Sequence, residues 1–383
     1  MTLLKKFFLY ILSLLFIAPG SGVGGGELME YDKYTLQAYM QPVWEGDIVY
    51  NETLMFVEDA SGNVPPAPLL YKPDEIISLR SFDLNTEYIQ GVDYNVNENG
   101  CIVLTENSRI FRWSYQAYYP DTPETGHYFD RTGGGYISFG EGDTYFKTQV
   151  AVTYRHSDSW DGKVPGYRGD FLSGTMDKLK NGKKLTIVYY GDSITTGANS
   201  SNTAPPFAPI WTQLVTQELS AEFNNPNIVE INTAVGGTNS EWGAENAQER
   251  AAAYNPDLVV IGFGMNDAGT SSLKYACNIN KIIRIVRKKN KNAEFILVSP
   301  MCANKEVKGF YGNQYKFENI LKQFEIFKNG VAVAPVWTMH SYLLKKKRYY
   351  DMTGNNVNHP NDFLARIYAQ TVAELFLGEE WKI

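Results

Sequence analysis

The sequence predicts an α/β protein in which a parallel sheet covered by helices is preceded by an antiparallel β-sandwich of jelly-roll type. Two observations carry this. After residue 183, an apolar strand and a helix-patterned segment recur at intervals of roughly 30 to 40 residues. Before residue 156, apolar residues alternate with a period of two between Gly, Pro and Asn turns. With 383 residues, 44% hydrophobic and 20% charged, the chain can fill two cores of ordinary size.

Residues 1–26 read MTLLKKFFLYILSLLFIAPGSGVGGG. The apolar run Phe7 to Ala18 follows Lys5-Lys6 and precedes small residues, and its 12 positions are too few to span a bilayer comfortably. The segment is expected to be a secretory signal cleaved between Ala18 and Gly26, sending the protein to the periplasm, the cell surface or the medium. No stable membrane span is predicted downstream. Formal net charge is −7, and −9 without Lys5 and Lys6, which argues against nucleic acid as a partner because phosphate binding needs a basic surface. The run Lys345 to Arg348 is expected to be a solvated face.

Residues 27–155 form the expected sandwich. FKTQVAVTYR places Phe146, Thr148, Val150, Val152 and Tyr154 on one face and mostly polar residues on the other. Asn99-Gly100 marks a hairpin. RTGGGYISFGEG lacks the Lys-Ser/Thr of a phosphate loop and is expected to turn the chain. Residues 156–182 are polar and turn-rich, and are expected to connect the halves. Cys101, Cys277 and Cys302 permit at most one disulfide and have no metal-ligand spacing, so neither a cysteine framework nor a metal is expected.

Residues 183–383 carry the second pattern. LTIVYY, IVEINTAV, DLVVIGFG, EFILVSP and VAVAPVW are near-continuous apolar strands. Trp211, Leu214, Val215 and Leu219 share one helix face, and Leu364, Ile367, Tyr368 and Leu375 another. Parallel sheets bind ligands beyond the carboxyl ends of their strands. At those ends stand Ser193 in GDSIT, Gly236 and Gly237 in GGTNS, and Asn266 in GMND, while His359 in NHPND precedes the last helix. A serine hydroxyl needs a base to become a nucleophile, and imidazole titrates in the useful range. The backbone N–H groups of Ser193 and Gly237 and the amide of Asn266 suit the oxyanion of acyl transfer. Asp192 and Asp267 are expected to be structural, Asp362 to cap the last helix, and His340 to be packed. Trp211, Trp242 and Tyr311 are candidates for a cleft wall, with core packing favoured.

These four blocks, in this order, resemble those of the SGNH (GDSL-type) hydrolase family. The resemblance implies a flavodoxin-like fold for 183–383, esterase activity without metal or organic cofactor, Ser193 as nucleophile and oxyanion donor, Gly237 and Asn266 as further donors, and His359 as base. One position departs. The family usually places an aspartate three residues before the histidine, and Asn356 stands there. Some two-domain carbohydrate esterases with a β-sandwich ahead of this domain look similar and work with a Ser-His dyad, so a backbone carbonyl is expected to orient His359. Asp351 and a weakened enzyme are the alternatives. The expected function is an exported serine carboxylesterase removing acetyl groups from carbohydrates. A lipase or lysophospholipase, or a non-catalytic carbohydrate-binding surface protein, are the competing readings.

Overall fold

The computed structural model describes residues 35–122 and 124–378, so the expected signal sequence lies outside the described residues. In the carboxyl-terminal half, strands β8 (Leu185–Gly191), β9 (Ile228–Asn232), β10 (Leu258–Gly262), β11 (Glu294–Val298) and β12 (Val331–Ala334) form one parallel sheet, ordered β12-β11-β10-β8-β9. This is the doubly wound, flavodoxin-like order, and its direction reverses between β8 and β10.

Alternation along each strand divides the core. Ile187, Tyr189, Val260 and Ile296 face the helices Trp211–Glu222 and Asp362–Leu377, where Trp211, Leu214, Ile367 and Tyr368 are buried. Val188, Tyr190, Val259 and Phe295 face the helices Ser240–Arg250, Ser272–Lys289 and Gln314–Phe327, with Ile279, Ile282, Ile283 and Phe317 buried opposite. Four of the expected strands stop early: β10 at Gly262 and β11 at Val298, each two residues short, and β12 and β9 three residues short. β12 ends at Ala334 because Pro335 has no N–H for the ladder, and a helix starts at Val336. β9 is one of the two edge strands, only partly buried, and ends at Asn232.

The amino-terminal half contributes a three-stranded antiparallel sheet, β1 (Ile48–Leu54), β7 (Val150–Arg155) and β2 (Glu75–Ser81), with β7 central. Two hairpins flank it. β3 (Tyr94–Val96) and β4 (Ile102–Leu104) enclose Asn99-Gly100, and β5 (Tyr128–Asp130) and β6 (Tyr136–Ser138) enclose the glycine run at 133–135. The alternation expected along 146–155 gives way to a 3₁₀ turn at Phe146–Thr148, and β7 is buried on both faces except at Arg155. The second face is covered because β1 lies against the last helix, whose Arg366 donates to the carbonyls of Tyr50 (2.6 Å) and Asn51 (3.1 Å). Tyr39, Val49, Leu54, Val152 and Tyr154 therefore share one apolar core with Trp211 and Ile367.

Of the run Lys345 to Arg348, Lys345 and Lys346 are exposed as expected, but Lys347 and Arg348 turn inward. Lys347 is fully buried and paired with the equally buried Glu52 of β1, whose carboxylate also accepts from Leu70 N (2.8 Å) and Tyr154 Oη (2.7 Å). A buried carboxylate is costly without a counterion, and among the described residues Lys347 is the cation paired with it. Arg348 is held by Asp351 and donates to the Met55 carbonyl (3.0 Å). Cys101, Cys277 and Cys302 are all free thiols. Among the described residues no helix is long and apolar enough to cross a membrane.

Removing one member of a buried pair strands the other. Lys347→Met is expected to lower unfolding free energy by about 3–5 kcal/mol, and Lys347→Met with Glu52→Gln to recover much of that loss. Urea denaturation of the single and double variants measures both.

Candidate active site

The site forms where the sheet order reverses. β8 ends at Gly191, which pairs with Gly262 of β10 so closely that a Cβ at 191 would meet the Gly262 carbonyl at 2.6 Å. Only glycine fits there. Asp192 follows as a cap, its carboxylate accepting from Ile194 N (3.0 Å); burial pushes its carboxyl pKa up to about 7, in keeping with a structural part. Ser193 then opens a single helical turn, Ser193–Thr196.

The loops after the neighbouring strands carry the expected donors, Gly237 and Asn266. The chain leaving β9 is tied to β8 by Val235 N to Gly191 O (3.0 Å), and a Cβ on Gly236 would lie 3.7 Å from Ser193 Cβ. Gly237 follows with φ +76°, a backbone state that glycine enters freely. Asn266, just beyond β10, donates one amide N–H to Thr238 O (2.9 Å), which joins the two loops; an amide has a second N–H to offer. Asp267 accepts from Ser240 N (2.9 Å) and Oγ (2.6 Å) and is structural, as expected.

His359 arrives on a buried loop between the 3₁₀ turn Tyr349–Asp351 and the last helix. Its Nε2 lies 2.8 Å from Ser193 Oγ. On the far side of the ring, Nδ1 lies 2.5 Å from Asn199 Oδ1 and 3.0 Å from Asn355 Nδ2. Both amides are fixed by other bonds. Asn199 Nδ2 donates to Gly142 O (2.9 Å), so its oxygen faces the ring. Asn355 Oδ1 accepts from the backbone N–H groups of Val357, Asn358 and His359, so its nitrogen does. The shorter contact selects the tautomer: Nδ1–H donates to Asn199 Oδ1, leaving Nε2 to accept from the Ser193 hydroxyl. Asn199 reaches this place with φ +61° and by passing close to Gly354, where a Cβ would stand 2.6 Å from its own. Burial pushes the His359 pKa down to about 4, so the imidazole is neutral and able to act as a base at neutral pH.

The partner of Nδ1 is thus a side-chain amide on the loop after Ser193, and not the expected backbone carbonyl. Asp351 does not fill the role either, because its carboxylate is taken by Arg348 and by Met55 N (2.9 Å). Asn356 turns away from the ring with φ +68°; it accepts from Tyr118 Oη (2.8 Å) and donates to Ser138 O (3.0 Å) of the amino-terminal half. Asp362 accepts from Ser201 N (2.8 Å) and Oγ, while Asn361 caps the last helix. Trp211 and His340 are buried in the core, and Tyr311 is partly exposed. Two residues near the ring went unforeseen. Asn199 carried only the signal of a polar residue in a glycine-containing loop. Glu141, whose Oε2 lies 3.7 Å from His359 Nδ1, sits in the Gly-Glu-Gly of a segment read as a turn.

Proton linkage follows from burial of the two histidines. His359 and His340 are both depressed, to about 4 and about 3, from an ordinary 6.5. The unfolded chain therefore takes up protons first, so their stabilisation is complete above pH 6.5 and is lost as pH falls toward 4. Urea melts across that interval should show declining unfolding free energy, and His340→Gln should flatten the decline.

Residues 189–367 match the model of the GDSL-like lipase/acylhydrolase family. No curated protein matches the chain. Among solved structures, a two-domain esterase (CEX) active on acetylated mannans, co-crystallized with mannopentaose, is 21% identical over 55% of this chain and 53% of its own, with a TM-score of 0.43. The chain thus spans about half the length of that esterase. The acetyl xylan esterase AlAXEase is 20% identical over 49% of this chain and 98% of its own, with a TM-score of 0.40. A catalytic mutant of the acetylxylan esterase Axe2 from Geobacillus stearothermophilus is 17% identical over 51% and 95%, with a TM-score of 0.43. With the parallel sheet and the strand-end blocks in place, residues 189–367 constitute a GDSL-like lipase/acylhydrolase domain.

Proposed function

We propose that the protein is an exported serine carboxylesterase that removes acetyl groups from carbohydrates through Ser193 and His359. The observation that carries this reading is the 2.8 Å contact between Ser193 Oγ and a neutral His359 Nε2 at the reversal point of a GDSL-like domain. The apolar leader supports export, and the acetylated glycans named for the similar structures suggest the substrate class.

In the reaction, Ser193 Oγ attacks the acyl carbon as its proton passes to His359 Nε2. The carbonyl oxygen becomes an oxyanion, met by Ser193 N–H, Gly237 N–H and Asn266 Nδ2–H. The tetrahedral intermediate collapses with cleavage of the bond to the sugar oxygen, which takes the proton from Nε2 and leaves as a hydroxyl. Water then attacks the acyl-serine, giving its proton to Nε2. Acetic acid departs as the proton on Nε2 returns to Ser193 Oγ, and it ionises to acetate in solvent. Asn199 Oδ1 keeps Nδ1–H in place throughout. This amide accepts a hydrogen bond but carries no charge to offset the imidazolium.

Hydrolysis of p-nitrophenyl acetate and acetate release from acetylated mannan and xylan test the reading. Ser193→Ala is expected to fall to background, a loss of at least ~10⁴-fold, and Asn266→Ala to lose about 10²–10³-fold in kcat. Equal rates for wild type and Ser193→Ala on every substrate would overturn it. Because His359 must be unprotonated, kcat/KM should rise with an acid limb near pH 4, well below an ordinary histidine limb.

A further inference from the structure

We propose that Glu141, presented by the Gly140–Thr144 turn of the amino-terminal half, is a positioning residue whose carboxylate balances the charge His359 acquires when it takes the Ser193 proton. The inference rests on the Ser193–His359 reading above.

Proton transfer creates an imidazolium in a buried place that disfavours it. The two groups against Nδ1 are neutral amides, Asn199 and Asn355. The nearby acids are committed elsewhere: Asp351 to Arg348, Asp362 to Ser201 and Asp192 to Ile194 N. Among the described residues, Glu141 supplies the one carboxylate within 4 Å of the ring, Oε2 standing 3.7 Å from Nδ1.

The turn that carries it is built into the site. A Cβ at Gly140 would collide with the Thr144 side chain, and Thr144 Oγ1 donates to Glu141 O (2.9 Å). The next carbonyl, that of Gly142, accepts from Asn199 Nδ2 (2.9 Å). One turn therefore aims the amide that fixes the tautomer and brings up the charge the amide lacks. At 3.7 Å the carboxylate acts through the field, since Nδ1–H is already given to Asn199. Its side chain is 57% exposed, which limits the effect and makes it sensitive to salt.

Glu141→Gln keeps shape and removes charge. It is expected to lower kcat about 2- to 5-fold with KM unchanged, as befits an exposed charge pair felt mainly in the transition state. Wild-type kcat should fall in about 1 M salt, while that of the variant stays flat. Followed by NMR, the His359 imidazole should titrate at lower pH in Glu141→Gln than in wild type, because a carboxylate favours the protonated ring. Asp143→Asn, a neighbouring exposed acid paired with Lys147, should leave all three readouts unmoved. An active wild type, an inactive Ser193→Ala and a Glu141→Gln variant with unchanged kcat and titration would sink this inference and leave the esterase reading intact. Were no ester hydrolysed at all, that reading would fail, and the histidine titration would still decide the Glu141–His359 coupling.

Discussion

Burying the loop that carries His359 obliges every polar group on it to find a partner, and much of the architecture supplies those partners. Residues 351–361 are all buried. A loop in water satisfies its backbone with solvent, whereas a buried one must do so with protein. Thr353 Oγ1 accepts from the N–H groups of Asn355 and Asn356, and Asn355 Oδ1 from the next three. The remaining needs are met from across the chain. Gln149 donates to the carbonyls of Tyr350 and Thr353, Asn304 to that of Asn356, and Tyr118 and Ser138 hold the Asn356 amide. This network fixes the orientation of the imidazole through the fold itself.

The same burial accounts for the departure at residue 356. A carboxylate there could accept from Tyr118 but could not donate to the Ser138 carbonyl as the Asn356 amide now does. An amide, with both donor and acceptor, fits both neighbours. Orientation of the ring passes instead to Asn199, on the loop that follows Ser193. A hydrogen bond from Nδ1–H to an amide oxygen fixes geometry and tautomer as well as a carboxylate does, but contributes little charge. Geometry and electrostatics, joined in one side chain in a Ser-His-Asp triad, are here borne by different residues.

Local patterns made the parallel half legible. Apolar runs with strand length gave five strands within a few residues, and the motif at each strand end fell at the sheet edge, because β8, β9 and β10 are neighbours with β8 between the other two. Strand lengths come out shorter than the apolar runs, since those runs continue into the loops that leave each strand. The residues that escaped are those whose role depends on tertiary approach. Lys347 looks like its exposed neighbours in sequence, and only the buried Glu52, 295 positions away, makes it internal. Asn199 and Glu141 sit in turns whose composition explains the turn and hides the reach of the side chain. The second face of β7 read as solvent-facing for the same reason: its cover, the last helix, comes more than 200 residues later.

The buried Glu52–Lys347 pair also bears on how such a protein can change over generations. An accessory domain joined by a linker can be exchanged for another, since nothing in the catalytic core depends on it. Here the amino-terminal half places a charge, a strand and a tyrosine inside the structure that surrounds the histidine. A recombination event near residue 183 would separate each from its counterpart at once. A chain cut at this seam would leave Glu52 and Lys347 each buried without its counterion, so the two halves are physically interdependent.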